Sequence, residues 1–294
     1  MITAPIAHRP LRQSLLLNSP AVAVLFIWSV VPFLMTIWFS FRRYNLMEPT
    51  RTGFDDFGNY RYLLSDPGLL TAISNTVILL GAVLVLTIGL GTLLAILFDQ
   101  EIFGRGIARV LVLAPFFVMP TVSALLWKNL MLHPDNGLFA AAFRVVGLQP
   151  IDWFAVAPLT TVIVIVSWQW LPFAFLTLLT AVQSLDEERK EAARMDGAGP
   201  IAMFRYIIWP HLGRAVAATS MIETIFLLGI FAEIYVTTAG GPGFASTNLS
   251  FLIYRYVLME YDIGAAAVAG LLAILLANLL AFFLLRSFAR NLDA

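Results

Sequence analysis

The chain has 294 residues, of which 60% are hydrophobic and only 12% are charged, whereas soluble domains carry about 25% charged residues. Its mean hydropathy is +0.86, so we expect a fold that is solvated mainly by lipid. The 18 lysines and arginines are balanced by 18 acids, which argues against a general attraction to nucleic acid or to an anionic surface.

Composition also excludes several kinds of chemical site. The absence of cysteine rules out disulfides, thiolate nucleophiles and cysteine-based zinc sites. The three histidines, His8, His133 and His211, lie far apart without the spacing of metal ligands. Because no glycine-rich run ends in Lys-Ser or Lys-Thr, we expect no ATP site in this chain. The residue types and spacings above also lead us to expect no catalytic centre and no metal.

Six apolar segments are long enough to cross a bilayer core of about 30 Å, which needs roughly 20 residues per helix. They comprise residues 19–41, 71–98, 107–131, 158–182, 215–238 and 262–286. We therefore predict an all-α polytopic membrane protein with six transmembrane helices, in which an N-terminal segment, 1–18, precedes a single transmembrane domain, 19–294. A cleaved signal peptide is the alternative for residues 1–41, but this apolar run is too long and lacks a small-residue cleavage site.

Orientation follows from the lysines and arginines, which accumulate on the cytosolic side of membrane proteins. With the N-terminus inside, the inner segments hold eleven of these residues and the outer segments hold seven. The sequence therefore predicts a multi-pass membrane protein with cytosolic N- and C-termini.

The polar segment 183–210, between the fourth and fifth spans, has the pattern of two short helices joined by a tight turn. Ser184 and Glu187 have the spacing of a capping box, which predicts the start of the first helix. Gly197 or Gly199 supplies the residue of positive φ that ends it.

The second helix of this segment begins at Pro200, a residue suited to a first helical turn. Its apolar side carries Ile201, Phe204, Ile207 and Ile208. We expect Pro210 to end this helix.

Two acids lie in the fifth span, where an ionised side chain costs on the order of 3 kcal/mol. On one continuous helix, Glu223 and Glu233 share a polar stripe that we expect to face the interior of the bundle. Carboxylates, amides and aromatic rings suit a polyhydroxylated solute. The predicted substrate path therefore consists of Glu233, Glu223, Tyr235, Gln169 and Trp170.

Other roles are open for these side chains. Trp168 and Trp170 are also explained by packing or by the membrane interface, where tryptophans gather. Glu223 is also suited to pairing with a polar group of a partner subunit in the membrane, and Glu233 to reaching the outer interface. Pro115, Pro120 and Pro172 predict bends in the third and fourth spans.

The hairpin resembles the EAA loop of binding-protein-dependent ABC permeases. Glu191-Ala192-Ala193 is followed after three residues by Gly197 and after nine more by Ile207-x-Trp209-Pro210. The family usually has leucine where this chain has Trp209, so the packing at that position differs. In that family the first helix is the coupling helix, which sits in a cleft of the ATPase subunit. The resemblance implies that the coupling residues here are Glu191, Ala192, Ala193, Asp196 and Gly197.

The resemblance covers most of the chain. Phe57-Gly58-Asn59-Tyr60, Asp66-Pro67 and Asn75-Thr76 are similar to the approach to the second span in sugar-type permeases. Gly240-Gly241-Pro242 resembles the Gly-Gly-Pro loop of the carbohydrate subfamily, and it is the loop we expect to face the binding protein. The order of motifs is that of the first-subunit type of maltose permease. The sequence around 222–243 looks most like permeases for sorbitol and mannitol.

This resemblance implies that the chain is not itself an enzyme and that it works within a complex in the bacterial cytoplasmic membrane. Its expected partners are a second permease subunit, a dimer of ATPase subunits that binds ATP and magnesium, and a periplasmic or lipid-anchored solute-binding protein. The expected cargo is a sugar alcohol or related sugar, with a disaccharide or a glycerol-phosphate-like solute as the alternative.

An ion-driven secondary carrier is the competing class, in which Glu223 and Glu233 would be proton-coupling groups. No inverted repeat is evident in the sequence, and such a carrier would leave the hairpin without a role. A membrane enzyme would need a polar catalytic cluster, which the sequence lacks.

Overall fold

The computed structural model describes residues 11–101 and 103–292, with side chains described for 19–101 and 103–286. Residues 1–10 of the predicted N-terminal segment lie outside this part of the chain. The helices are α1 (Leu11–Ser40), α2 (Gly58–Ser65), α3 (Pro67–Asp99), α4 (Arg105–Leu113), α5 (Pro120–Leu125), α6 (Leu138–Val145), α7 (Trp153–Val156), α8 (Pro158–Gln183), α9 (Glu187–Met195), α10 (Pro200–Met203), α11 (Trp209–Leu227), α12 (Ala232–Thr237), α13 (Leu249–Tyr254) and α14 (Ile263–Leu292).

Within the described part of the chain, four helices are each long and apolar enough to cross a membrane. These segments are Ser19–Ser40, Pro67–Asp99, Pro158–Gln183 and Ile263–Arg286, and they correspond to the first, second, fourth and sixth predicted spans. The helical fold is therefore confirmed, although the predicted third and fifth spans are not continuous helices.

The third span is bent by 102° between Arg105–Phe117 and Pro120–Met131. A short 3-10 turn, Ala114–Phe117, follows α4, and Val118 and Met119 are extended before α5 begins at Pro120. Proline disfavours helical backbone in the residue before it and lacks an N–H for the helical ladder. The predicted bend is thus present, whereas Pro172 is accommodated inside an unbroken α8.

The fifth span is interrupted between Leu227 and Ala232, which separates α11 from α12. Polar side chains satisfy the backbone groups released at this break. Asn248 Nδ2 donates to the Ile230 carbonyl at 2.6 Å, and Ser250 Oγ donates to the Leu228 carbonyl at 2.8 Å. The prediction of one continuous stripe through Glu223 and Glu233 is therefore wrong, because the helix that would align the two acids is broken between them.

The centre of the bundle is the contact between α3 and α8. A methyl group built at Gly91 would lie 3.1 Å from the side chain of Ala174 and from the Phe175 amide nitrogen, so glycine allows close approach of the two helices. Ala95, Phe175 and Leu178 are fully buried beside this crossing. Between helices in a bilayer, such close contacts stabilise the pair through van der Waals packing.

One end of the bundle carries the 183–210 hairpin, and the opposite end carries the longer connections. At this opposite end, two short strands pair antiparallel, β1 (Arg42–Arg43) with β2 (Gly53–Phe54). The all-α prediction did not include this strand pair. Asn59 Nδ2 donates to the carbonyls of Ser40 and Arg42 at 3.0 and 2.8 Å. This amide fixes the chain as it leaves α1.

Candidate functional site

The two broken spans and α8 line an open cavity of about 690 Å³, which we call the central cavity. The break in the third span, the break in the fifth span and the middle of α8 each contribute to its wall. Its lining includes Phe116, Val118, Pro120, Gln169, Trp170, Phe173, Phe226, Phe231 and Glu233. Irregular backbone inside a membrane is tolerated where it is buried in protein or lines a cavity, and both breaks meet that condition.

Glu233 and Gln169 are the polar side chains of greatest interest in the central cavity. The side chain of Glu233 is in the first turn of α12 and is only 2% exposed, and it forms no ion pair with any described residue. Gln169 Nε2 donates to the Val118 carbonyl at 2.9 Å, an acceptor freed by the bend before Pro120. Gln169 Oε1 is buried and has no hydrogen-bond partner within the described part of the chain. An unsatisfied buried acceptor is uncommon and calls for an explanation, such as a ligand.

Aromatic rings form a continuous wall of the same cavity. Trp170 lies 5.9 Å from Phe116, 6.0 Å from Phe173 and 5.3 Å from Phe226, measured between ring centroids. Such faces pack well against the C–H surfaces of a hydroxyl-rich molecule. The site therefore combines one carboxylate, one open amide oxygen and several rings.

Glu223 is placed away from this group. It is 0% exposed, and Thr87 Oγ1 of α3 donates to its Oε2 at 2.7 Å. Its Oε1 has no partner among the described residues. The structure thus brings together Glu233, Gln169 and Trp170 but not Glu223, which joins α11 to α3.

Tyr235 and Trp168 also lie outside the lining of the central cavity. The ring of Tyr235 stacks on Phe231 with a centroid distance of 5.5 Å and lies 5.2 Å from Tyr254. The indole of Trp168 packs edge-on against Trp127 at 5.7 Å. Both contacts are those of packed aromatic side chains.

The Gly240-Gly241-Pro242 loop lies at the end opposite the hairpin. Gly240 is buried, with φ of +80°, whereas Pro242 and Gly243 are exposed. Asn75 Nδ2 donates to the carbonyls of Phe244, Ala245 and Thr247 at 3.0, 3.3 and 2.9 Å. One amide of α3 therefore holds the loop, and Pro242 and Gly243 form its accessible edge.

The hairpin departs from its predicted capping. Ser184 Oγ donates to the Ala181 carbonyl at 2.8 Å, and Asp186 rather than Ser184 occupies the cap position of α9. The predicted capping box is therefore wrong, because Ser184 belongs to the end of α8. Gly197 has φ of +83°, which confirms the predicted turn, whereas Gly199 has φ of −70°.

The second helix of the hairpin is not separate from the fifth span. Pro200 begins α10 as predicted, a π-helical turn, Phe204–Ile208, follows, and α11 then begins at Trp209. Pro210 is the second residue of α11 and comes directly after the π-helical turn, and such local π-helical adjustments allow a helix to continue past a residue that lacks an N–H. The expectation that Pro210 ends a helix is therefore wrong, and the hairpin leads directly into α11.

The first helix, α9, exposes the residues expected to couple to a partner. Glu191, Ala192, Asp196 and Gly197 are exposed and Ala193 is half-buried. Within α9, all of whose residues the structure describes, Lys190 alone is buried. Its Nζ lies 2.9 Å from Asp99 Oδ2 and 3.2 Å from Glu187 Oε2.

The charge state of Lys190 follows from these contacts. Burial lowers its pKa, but the hydrogen bonds to Asp99 and Glu187 outweigh burial and raise the pKa above its ordinary value. A raised pKa in the folded state means that the stability from this pair is present at neutral pH and is lost only as pH rises through that pKa. The ammonium is therefore charged under physiological conditions.

Reasoning from the sequence missed Lys190, Asp99 and the structural roles of Asn75 and Asn248. The signal for the amides was present, since asparagine in an apolar segment needs hydrogen-bond partners. The signal for Lys190 was absent, because its partner Asp99 is 91 residues away in the chain. The structure shows no group of three or more potential metal ligands among the described residues.

Comparison with known proteins places these features in context. Residues 11–294 match the family described as binding-protein-dependent transport system inner membrane component. The chain is 33% identical over 247 residues to a protein of Sinorhizobium fredii described as a probable ABC transporter permease, covering 83% of this chain and 80% of that protein. It is 30% identical over 268 residues to the trehalose/maltose transport system permease protein MalF of Thermococcus litoralis, covering 90% of each.

Two further similarities come from a relative and from a solved structure. The sn-glycerol-3-phosphate transport system permease protein UgpA of Brucella suis is 27% identical over 268 residues, covering 89% of this chain and 90% of that one. A chain of a bacterial ABC transporter involved in the import of alginate matches with a TM-score of 0.78 at 22% identity, covering 95% of this chain and 96% of that chain. At this identity the structural similarity shows the fold alone.

Proposed function

The chain belongs to the family of binding-protein-dependent transport system inner membrane components, and from this we propose that it is the permease subunit of an ABC importer for a carbohydrate. The observation that carries the proposal is α9, a helix outside the apolar bundle whose side chains are exposed apart from Lys190 and the half-buried Ala193. Such an exposed helix is suited to a cleft in a partner protein. We assign the contact with the ATPase to Glu191, Ala192, Ala193, Asp196 and Gly197.

The ATP and magnesium of this transporter are bound by the partner ATPase subunits. This chain would contribute half of the translocation path, with a second permease subunit contributing the rest and a solute-binding protein delivering cargo to the end opposite the hairpin. The exposed edge of the Gly240-Gly241-Pro242 loop is the surface that we propose the binding protein contacts. Closure of the ATPase dimer would move α9, and through the hairpin it would rock α11, which is continuous with it.

The side chains that line the central cavity are suited to binding a hydroxyl-rich cargo. Glu233 accepts hydrogen bonds from hydroxyl groups, Gln169 Oε1 is an open acceptor, and Trp170 offers a face for C–H groups. The names of the relatives include trehalose, maltose and sn-glycerol-3-phosphate, which supports a small sugar or polyol as the class. Within this class we propose sorbitol or mannitol from the sequence around residues 222–243, with a disaccharide such as trehalose as the alternative.

The test of this function is uptake by the reconstituted complex. The permease pair, the ATPase subunits and the binding protein are placed in proteoliposomes, and labelled hexitols, hexoses and disaccharides are offered with and without internal ATP. We expect uptake that requires both ATP and binding protein. Uptake driven by a proton gradient without ATP would contradict the proposal and indicate an ion-driven carrier.

The cargo itself is decided by a second measurement. The cognate binding protein is titrated with the same panel of solutes by calorimetry. Tight binding of sorbitol or mannitol supports the hexitol assignment. Binding of trehalose or maltose without binding of hexitols would overturn that assignment while leaving the importer function in place.

A further inference from the structure

One buried side chain of α9 links this helix directly to α3. The side chain of Lys190 is 9% exposed, although its neighbours along the helix face solvent. A lysine this deeply buried is rare unless it is paired, and here it bridges Asp99 of α3 and Glu187 of α9. Glu187 also pairs with Arg194 at 3.4 Å, so the network extends along α9.

Asp99 connects this pair to the centre of the bundle. Asp99 is the final residue of α3, the helix that packs along α8 at the centre of the bundle. The negative end of the α3 dipole adds to the attraction of its carboxylate for the Lys190 ammonium. Farther along the same helix, Thr87 donates to Glu223 of α11. Thus α3 is joined by polar contacts to α9 at its end and to α11 within the bundle.

The base of the hairpin is held by a separate contact. His211 Nε2, at the start of α11, lies 3.0 Å from the Ala181 carbonyl and 3.1 Å from Ser184 Oγ, both at the end of α8. This contact joins the two helices from which the hairpin emerges. The His211 contact does not involve α9. That helix is attached to the bundle through its chain connections, its packing on α10 and the Lys190–Asp99 pair.

We propose that Lys190 is a positioning residue that fastens α9 to α3, so that force applied to α9 by the ATPase moves α3 as well as α11. The inference rests on the proposed function, since it assumes that α9 is the helix that the ATPase contacts. Without the pair, α9 would still be present and still be able to bind, but its displacement would reach the bundle through its chain connections and its packing on α10, and no longer directly through α3. ATP hydrolysis would then be poorly linked to transport.

The test uses the assembled transporter with its binding protein, in proteoliposomes. Lys190→Met removes the charge and keeps most of the side-chain volume, and the double variant Lys190→Asp with Asp99→Lys reverses the pair. Arg189→Met is the matched control, because Arg189 is adjacent but, among the residues that the structure describes, pairs only with Asp186 of the same hairpin at 3.5 Å, with both side chains about 70% exposed. Such exposed pairs contribute little.

We expect Lys190→Met to keep normal ATPase association but to lose at least about fivefold in substrate transported per ATP hydrolysed, at the lower limit of typical coupling energies. The reversed pair should recover to within about twofold of wild type, and Arg189→Met should change the ratio by less than twofold. Equal losses in Lys190→Met and Arg189→Met, or no recovery in the reversed pair, would overturn the proposal.

A measurement without the ATPase keeps the proposal separate from the proposed function. Hydrogen exchange of the purified permease should show faster exchange in the amides of α9 in Lys190→Met, with protection restored in the reversed pair. Unchanged exchange in α9 would contradict the fastening role. Failure of the proposed function would show instead in the wild-type protein, as an absence of ATP-dependent uptake.

Discussion

At the scale of single residues, Glu233 is the side chain that we propose contacts the cargo. It is buried in the wall of the central cavity and forms no ion pair with any described residue. Hydroxyl groups of a ligand in this cavity would donate hydrogen bonds to the carboxylate, and these bonds would offset the cost of burying it without an ion-pair partner. Glu223, by contrast, already has a donor in Thr87, so its role is to join two helices.

The first prediction concerns Glu233→Gln, which keeps the size of the side chain and removes its charge. Because hydrogen bonds to charged groups contribute about 1.5 to 3 kcal/mol, we expect uptake at low substrate concentration to fall by about tenfold to a hundredfold. Assembly with the ATPase should be unchanged. The measurement is initial uptake rate against substrate concentration in proteoliposomes.

The control for this prediction is Glu101→Gln, at an exposed glutamate after α3. Its uptake should equal that of wild type. A normal rate and normal KM in Glu233→Gln would show that the carboxylate does not contact the cargo.

The second prediction concerns Gly240→Ala. The backbone there has φ of +80°, and an added methyl group would lie 2.5 Å from a ring carbon of Phe251 and 2.6 Å from Thr247 Oγ1. Positive φ and steric overlap each destabilise a substituted residue by about 1 to 3 kcal/mol. We expect a lower Tm in thermal unfolding of the detergent-solubilised protein.

Gly243→Ala separates the two causes, because Gly243 also has positive φ, at +60°, but nothing lies within 4 Å of the added methyl group. We expect Gly243→Ala to lower the Tm less than Gly240→Ala does. Equal values of Tm in the two variants would show that the contact with Phe251 does not constrain the loop.

At the scale of elements, the two breaks and the hairpin turn determine what the helices do. Each break brings polar backbone groups into the apolar bundle, and each is satisfied by an amide side chain, Gln169 for Val118 and Asn248 for Ile230. The turn at Gly197 fixes the angle between α9 and α10. The shape of the hairpin therefore depends on one residue of positive φ.

The third prediction concerns Gly197→Val, because a β-branched residue is strained at φ of +83°. We expect the turn to shift, and transport per ATP hydrolysed to fall severalfold while expression in the membrane stays near normal. The matched control is Gly199→Val, at φ of −70° with nothing within 4 Å of the added group. A normal ratio of transport to hydrolysis in Gly197→Val would contradict the importance of this turn.

At the scale of the whole molecule, the hairpin and the Gly240-Gly241-Pro242 loop lie at opposite ends of the bundle, as an importer requires. Asp99 at one end of α3 pairs with the hairpin, and Asp66 just before its other end pairs with Arg255 at 3.3 Å. Tyr256 also donates to Asp66. One helix therefore connects the end proposed to meet the ATPase with the end proposed to meet the binding protein.

The fourth prediction concerns orientation in the membrane, which the distribution of lysine and arginine predicts. The chain has no cysteine, so a single introduced thiol reports its own side. Ala245→Cys should react with a membrane-impermeant maleimide in spheroplasts, whereas Glu101→Cys should react only after permeabilisation. Both positions are exposed, and the reverse pattern would invert the predicted topology.

Much of the fold could be predicted because it depends on local patterns. Apolar segments of sufficient length specify helices in lipid, where every backbone polar group must be satisfied within the chain. Pro115 and Pro120 predicted the bend in the third span, since proline acts on its immediate neighbours. Gly197 and Pro200 likewise identified the turn and the helix after it.

The remaining features depend on contacts between distant parts of the chain. The sequence by itself determined the helical membrane fold, the hairpin and its resemblance to a family, because periodicity, length and short motifs are properties of neighbouring residues. Only the tertiary structure decided that the fifth span breaks before Ala232, that Glu233 and Gln169 share a cavity without Glu223, and that Lys190 pairs with Asp99. The physical reason is that a buried polar group is stabilised by whichever partner the packing brings to it, and spacing along the chain does not specify that partner.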